Sequence, residues 1–155
     1  VKSDFNIGDY TETQNYARLV KEYEKSSEED IALAHLYAGK AFAATKKDAD
    51  ALKELNLAAL KSKTEIGAEA RYLVAESQLK AKQYDKAIAS AFDISNAFSS
   101  YDFWVAKGFI LMADSYAGKG DKFQAKTTLE SVIDNYENTT DGILSTAKSR
   151  LEKLK

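Results

Sequence analysis

A spacing of twelve residues between small side chains recurs three times in this chain. Gly39 is followed by Ala51, Ala75 by Ala87 and Ala113 by Ala125. Each pair links two stretches of helical periodicity across a short polar turn. The distance between packed helices is set by the side chains at their contact, so small residues mark a close crossing. A helix hairpin repeated along a chain reads as an α-solenoid, because each hairpin buries its apolar face only against its neighbours.

The periodicity fills in the hairpins. Residues 1–12 are polar with no clear period and read as a loop or frayed lead-in. From residue 13 to 25, Tyr16, Leu19, Val20 and Tyr23 share one helical face. Ser27 then offers an N-cap, with Asp30 completing a capping-box-like pattern and acids matching the helix dipole. The next helix, about 29–45, is apolar around much of its circumference, with Ile31, Leu33, Leu36, Tyr37, Ala38, Ala41 and Phe42. Lys46, Lys47 and Asp48 make a turn, and a return helix carries Ala51, Leu52, Leu55, Ala58 and Ala59 to about residue 61. The same grammar gives helices over 66–82 and 84–98, then 103–117 and 121–136, with Asp121 as a further cap. A polar loop precedes a last amphipathic helix with Ile143, Leu144, Ala147, Leu151 and Leu154. There is no proline, so Gly, Ser, Asn and Asp must end the helices.

These residues resemble the tetratricopeptide repeat. Its pattern of a bulky residue, a small residue, an aromatic, a turn glycine and an alanine is best met by Phe109, Met112, Ala113, Tyr116, Gly120 and Ala125. The preceding unit keeps Ala75, Tyr84 and Ala87, with Gln78 in place of the aromatic and Lys82 at the turn. The first keeps Gly39, Phe42 and Ala51, with His35 at the bulky position and Lys46 at the turn. The closing proline falls on Lys63, Ser99 and Glu137, and is absent each time. The resemblance implies an all-α fold, a right-handed α–α superhelix of antiparallel hairpins. A lead-in over 1–12 would precede one tetratricopeptide-like domain over 13–155. That domain comprises a half repeat at 13–26, repeats at about 29–62, 65–99 and 102–137, and a capping helix at 141–155.

By the same resemblance, the first helix of each hairpin lines a groove. Leu36 and Lys40, Tyr72 and Glu76, and Ile110 and Asp114 are its positions, flanked by Glu69 and Lys107. The implied partner is a protein or peptide, taken as an extended segment or a helix. The Lys and Asn set of members that clamp a terminal carboxylate is not present here. A second reading stays open, in which Leu36 and Ile110 belong to the core and Lys40 pairs with Glu76. Trp104 is read as stapling a helix entry, against the alternative of an interface anchor. Residues 133–136 and Ala147, Lys148, Arg150 and Leu151 are also similar to the ends of bacterial envelope repeat proteins. That similarity implies a role in the periplasm or at the outer membrane, against a cytoplasmic alternative.

Chemistry is excluded on several counts. Acidic and basic residues nearly balance, 24 against 22, with no basic stripe for nucleic acid. There is no cysteine, and the lone His35 lies on an apolar face, where packing is its simplest role. A calcium loop at Glu137, Thr139 and Asp141 fails because Lys148 stands at the twelfth position. Gly118 and Gly120 stop a helix and cradle no phosphate, and Asn138-Thr139-Thr140 is a glycosylation triplet by pattern only. The expectation is a non-enzyme with no cofactor and no metal. The richest apolar run, 103–113, holds Lys107 and is too short for a membrane span. Val1 in place of Met implies processing or excision from a longer protein. The rivals to an interaction scaffold are a carbohydrate-binding envelope scaffold using Tyr101, Phe103 and Trp104, an enzyme's regulatory domain, and a self-associating spacer.

Overall fold

The computed structural model describes residues 1–6 and 8–154. Ile7 of the lead-in and Lys155 of the capping helix lie outside the described residues. Among those described, the regular elements are helices: α1 (Lys2–Asn6), α2 (Tyr10–Glu22), α3 (Glu28–Ala44), α4 (Asp48–Lys61), α5 (Glu65–Lys80), α6 (Tyr84–Ala97), α7 (Asp102–Gly118), α8 (Lys122–Asn135) and α9 (Ile143–Glu152). The chain divides into two compact units, Val1–Val74 and Ala75–Lys155, with the boundary inside α5.

The loop expected over residues 1–12 is corrected by α1 and by the early start of α2. Asp9 caps α2, its Oδ1 accepting from the Glu12 backbone N–H at 3.0 Å. That first turn is polar, so no apolar period announces it. Phe5 anchors α1, edge-on to Tyr37 with ring centroids 5.5 Å apart and tilted against Tyr10 at 5.6 Å.

In the first unit, α3 packs on both α2 and α4. The capping box at its start is complete: Ser27 Oγ accepts from the Asp30 N–H, and Asp30 Oδ2 accepts from the Ser27 N–H. Gly39 sits where α3 and α4 cross. A Cβ there would lie 2.7 Å from Leu55 Cγ and 3.2 Å from the Leu55 backbone nitrogen. Leu36, Leu55, Ala58, Ala59, Ala70 and Val74 form one core cluster, while Ala17, Ala34 and Ala38 form another under α2. At the end of α4, where the repeat's proline is missing, Ser62 Oγ donates to Glu29 Oε1 at 2.8 Å, and the Thr64 N–H donates to Ser62 Oγ.

In the second unit, α7 packs against α6 and α8, and α9 covers the end of the α7–α8 hairpin. The core there joins Ala106, Ile110 and Ala113 of α7 to Leu129 and Val132 of α8 and Ile143 and Ala147 of α9.

The three hairpin turns share one geometry. Lys46, Lys82 and Gly120 all have left-handed backbones, with φ of 60°, 56° and 87°. In each turn the next N–H reaches back five residues: Lys47 to the Phe42 carbonyl, Gln83 to Gln78 and Asp121 to Tyr116. The left-handed residue's own N–H bonds to the Ala43, Leu79 and Ala117 carbonyls, so each turn is a complete Schellman cap. The motif favours glycine, and a residue with a Cβ in this conformation costs roughly 1–2 kcal/mol. Glycine's extra chain entropy offsets about half of that. The double substitution Lys46→Gly with Lys82→Gly is therefore expected to stabilise the chain by about 1 kcal/mol, and Gly120→Lys to destabilise it by a few tenths to 1. Urea unfolding midpoints check this. Unchanged midpoints for the double glycine variant would show that the lysines carry no strain.

Candidate interaction surfaces

Two groove expectations are corrected at once. Leu36 is 2% exposed and Ile110 7%, and both lie inside core clusters. An apolar residue in the middle of a helix that is apolar on most sides has no sequence mark telling groove from core.

In the first unit, Lys40 and Glu69 come together, with Nζ 2.8 Å from Oε1. The second reading put Lys40 with Glu76, and the partner found within the first unit is Glu69. The two glutamates are seven residues apart, two helical turns, so spacing alone could not choose between them. Lys40 Nζ also lies 4.9 Å from the Tyr37 ring centroid and 5.2 Å from that of Phe5, so α1 helps to cover it. Tyr72 is half-buried on α5.

His35 lies at the bulky repeat position and is buried, as read, yet it is also polar-paired. Its Nδ1 stands 2.7 Å from Glu54 Oε2, and Lys21 Nζ lies 2.9 Å from the same oxygen. An ionised carboxylate only accepts, so Nδ1 carries the proton. This triad ties α2, α3 and α4 together. Burial alone would push the Glu54 carboxyl up, but the His35 hydrogen bond and Lys21 together hold it below the ordinary glutamate value. No periodicity in the sequence links residues 21, 35 and 54.

In the second unit, Glu76 pairs within its helix with Lys80 at 2.7 Å. Lys107 Nζ lies 4.8 Å from the Trp104 ring centroid and 5.4 Å from that of Phe103. Asp114 pairs with Arg150 Nε at 3.0 Å, linking α7 to α9, and its burial raises the carboxyl pKa against the pull of that guanidinium. Trp104 meets Phe103 edge-on at 5.2 Å at the entry of α7, and Tyr101, Phe103 and Trp104 are all half-buried.

Sequence reasoning did not find the cleft of about 710 Å³ beside these residues. Its walls are the first half of α7, the end of α8 and the loop at 137–141. Phe103, Val105 and Phe109 give it apolar surface, and Asp102, Glu137 and Asp141 supply its charged groups. Tyr136 donates its hydroxyl proton to Asp141 Oδ2, while Asp141 Oδ1 accepts from the Ile143 N–H at 3.1 Å. Asp141 thus ties Tyr136 to the first residue of α9, whose N-cap is Gly142. Burial first, then the bond to Asp141 and the charges of Asp141 and Asp102, push the Tyr136 hydroxyl up to about 12. Spacings of three and four place Asp102, Val105, Ala106 and Phe109 on one face of α7, the signal that could have found the cleft.

Among the described residues, no group of three or more acids and histidines could hold a metal ion. No described helix is long and apolar enough to cross a membrane.

Residues 109–139, from the middle of α7 through α8, match the family model of the tetratricopeptide repeat. That stretch is similar to a single tetratricopeptide repeat. The matched repeat includes Met112, Ala113, Tyr116 and Ala125 together with the Gly120 Schellman turn. The turns at Lys46 and Lys82 reproduce that geometry at offsets already visible in the sequence. Helices packed consecutively in hairpins are consistent with a fold of the tetratricopeptide-repeat kind. No curated protein and no solved structure matches the chain.

Proposed function

We propose that this chain is a non-catalytic interaction module that binds a peptide or a helix of a partner protein on the first helices of its hairpins. The tetratricopeptide repeat at residues 109–139 carries this reading, because such repeats generally bind proteins or peptides. With Leu36 and Ile110 assigned to the core, the contact set is Lys40, Glu69 and Tyr72 in the first unit and Glu76, Lys107 and Asp114 in the second. The first-unit set combines charged groups with an aromatic ring, the kind of surface that sets register and direction for an extended segment. The resemblance of residues 133–136 and 147–151 to the ends of bacterial envelope repeat proteins implies a partner in the envelope.

The test is selection of a phage-displayed library of random peptides on the intact chain. Selected peptides are then titrated against wild type and against the double reversal Lys40→Glu with Glu69→Lys. The reversal keeps an ion pair but inverts its polarity. At least one class of selected peptide is expected to weaken about tenfold on the reversal, with helicity unchanged by circular dichroism; tenfold is about 1.4 kcal/mol. A library that yields no binder would overturn the reading.

A further inference from the structure

The cleft between α7, α8 and the loop at 137–141 has a chemistry of its own. Its ionisable carboxyls, Asp102, Glu137 and Asp141, are all acidic, and no lysine or arginine lines it. Among the described residues, no cation forms an ion pair with any of the three. The nearby Lys107 directs its ammonium at the Phe103 and Trp104 rings. Carboxylates around a concave, partly apolar wall focus a negative potential inside it. The high pKa of the Tyr136 hydroxyl agrees, since the charges of Asp141 and Asp102 contribute to it after burial.

The apolar part matters equally. Phe103, Val105 and Phe109 form a wall against which a long aliphatic stem can lie, while the carboxylates stand where a cationic head would reach them. A guanidinium or ammonium gains charge-assisted hydrogen bonds there. The volume, about 710 Å³, is that of a pocket for a small molecule and exceeds one side chain, leaving room for the flanking backbone of an extended segment. Phosphate backbones and acidic peptides are repelled by the same field.

We propose that this cleft receives a lysine or arginine side chain of an extended partner segment, with the aliphatic stem on Phe103 and Phe109 and the cation among Asp102, Glu137 and Asp141. The proposal rests on the interaction-module reading and names the chemistry of the partner.

The probes are the peptides selected from the random phage library, together with spermidine as a free polyamine. Peptides with a lysine or arginine at a constant position are expected, shifting the amide resonances of Asp102, Phe109, Asn135 and Asn138. Their affinity is expected to fall at least tenfold in Asp102→Asn with Glu137→Gln, and to weaken as salt is raised. Both substitutions keep side-chain size at exposed positions, and circular dichroism confirms the fold. Selected peptides without a basic residue, or whose binding survives the double substitution, would overturn the cleft assignment and leave the interaction-module reading standing. Failure to select any peptide would overturn both. Spermidine shifting the cleft resonances where no selected peptide does would overturn the peptide assignment in favour of a free polyamine.

Discussion

Replacing Glu54 with alanine is expected to lower the unfolding free energy by about 2–3 kcal/mol, because it leaves two buried or half-buried donors facing nothing. His35 is 7% exposed and loses the acceptor of its Nδ1 proton, and Lys21 loses both of its contacts to that carboxylate. Breaking a fully buried charge pair costs about 3–5 kcal/mol. The figure here is lower because the Lys21 and Glu54 side chains keep 22% and 14% exposure. Removing both polar partners together should be milder. His35→Phe with Glu54→Leu leaves only Lys21 to find water, so it is expected to cost less than Glu54→Ala alone. The pH dependence has a definite sign. The folded-state pKa of Glu54 lies below its ordinary value of 4.5. Its contribution is therefore fully present above that value and is lost as pH falls through the lower folded-state pKa. Urea titrations of wild type and Glu54→Gln from pH 7 down to acid check this. Identical slopes of stability against pH for the two proteins would show that the triad carries no linkage.

The fold was legible because its determinants are local. Small residues twelve apart, apolar faces at helical spacing, and the caps at Ser27 and Asp121 are each written within one hairpin. The three turns were equally readable, since Lys46, Lys82 and Gly120 stand in phase, and they share one Schellman cap although two of them lack the glycine. α1 escaped because five residues with a single aromatic give no period, and its placement depends on Tyr37, far along the chain. The surface was less legible for a related reason. Whether Leu36 faces a partner or Leu55, and whether Lys40 meets Glu69 or Glu76, depends on the rotation of one helix against the next. Periodicity defines a face but leaves open what lies opposite it. The cleft needed three elements to converge, and only the α7 part of it is written in one stretch of sequence.

Gly39→Val is the second large effect expected, a loss of about 3 kcal/mol, at the upper end of what overpacking costs. The twelve-residue spacing predicts a close helix crossing at this position, and the geometry shows how close. A Cβ at residue 39 would meet Leu55 Cγ and Cδ2 at 2.7 and 2.8 Å, with the Leu55 backbone nitrogen only 3.2 Å away. Leu55 is 3% exposed and packed in a core cluster, and its backbone can yield only if α3 and α4 separate. Gly39→Ala isolates the steric cost, because alanine's better helix propensity returns about 1 kcal/mol against it. Gly39→Ala is therefore expected to be destabilising by about 1 kcal/mol net despite that gain. In the background of Leu55→Ala, the same substitution should become neutral or favourable, a coupling of about 1–2 kcal/mol between residues in contact. Denaturant unfolding of the four proteins of this cycle supplies the measurement, and a Gly39→Val protein as stable as wild type would remove the close crossing as the reason for the spacing. The consequence reaches the interaction surface. Lys40 follows Gly39 directly, so forcing α3 from α4 rotates the very side chain that meets Glu69, Phe5 and Tyr37. A small residue buried at the crossing thereby holds a half-buried charge in register, and Gly39→Val should weaken peptides read by the Lys40 face before it unfolds the chain.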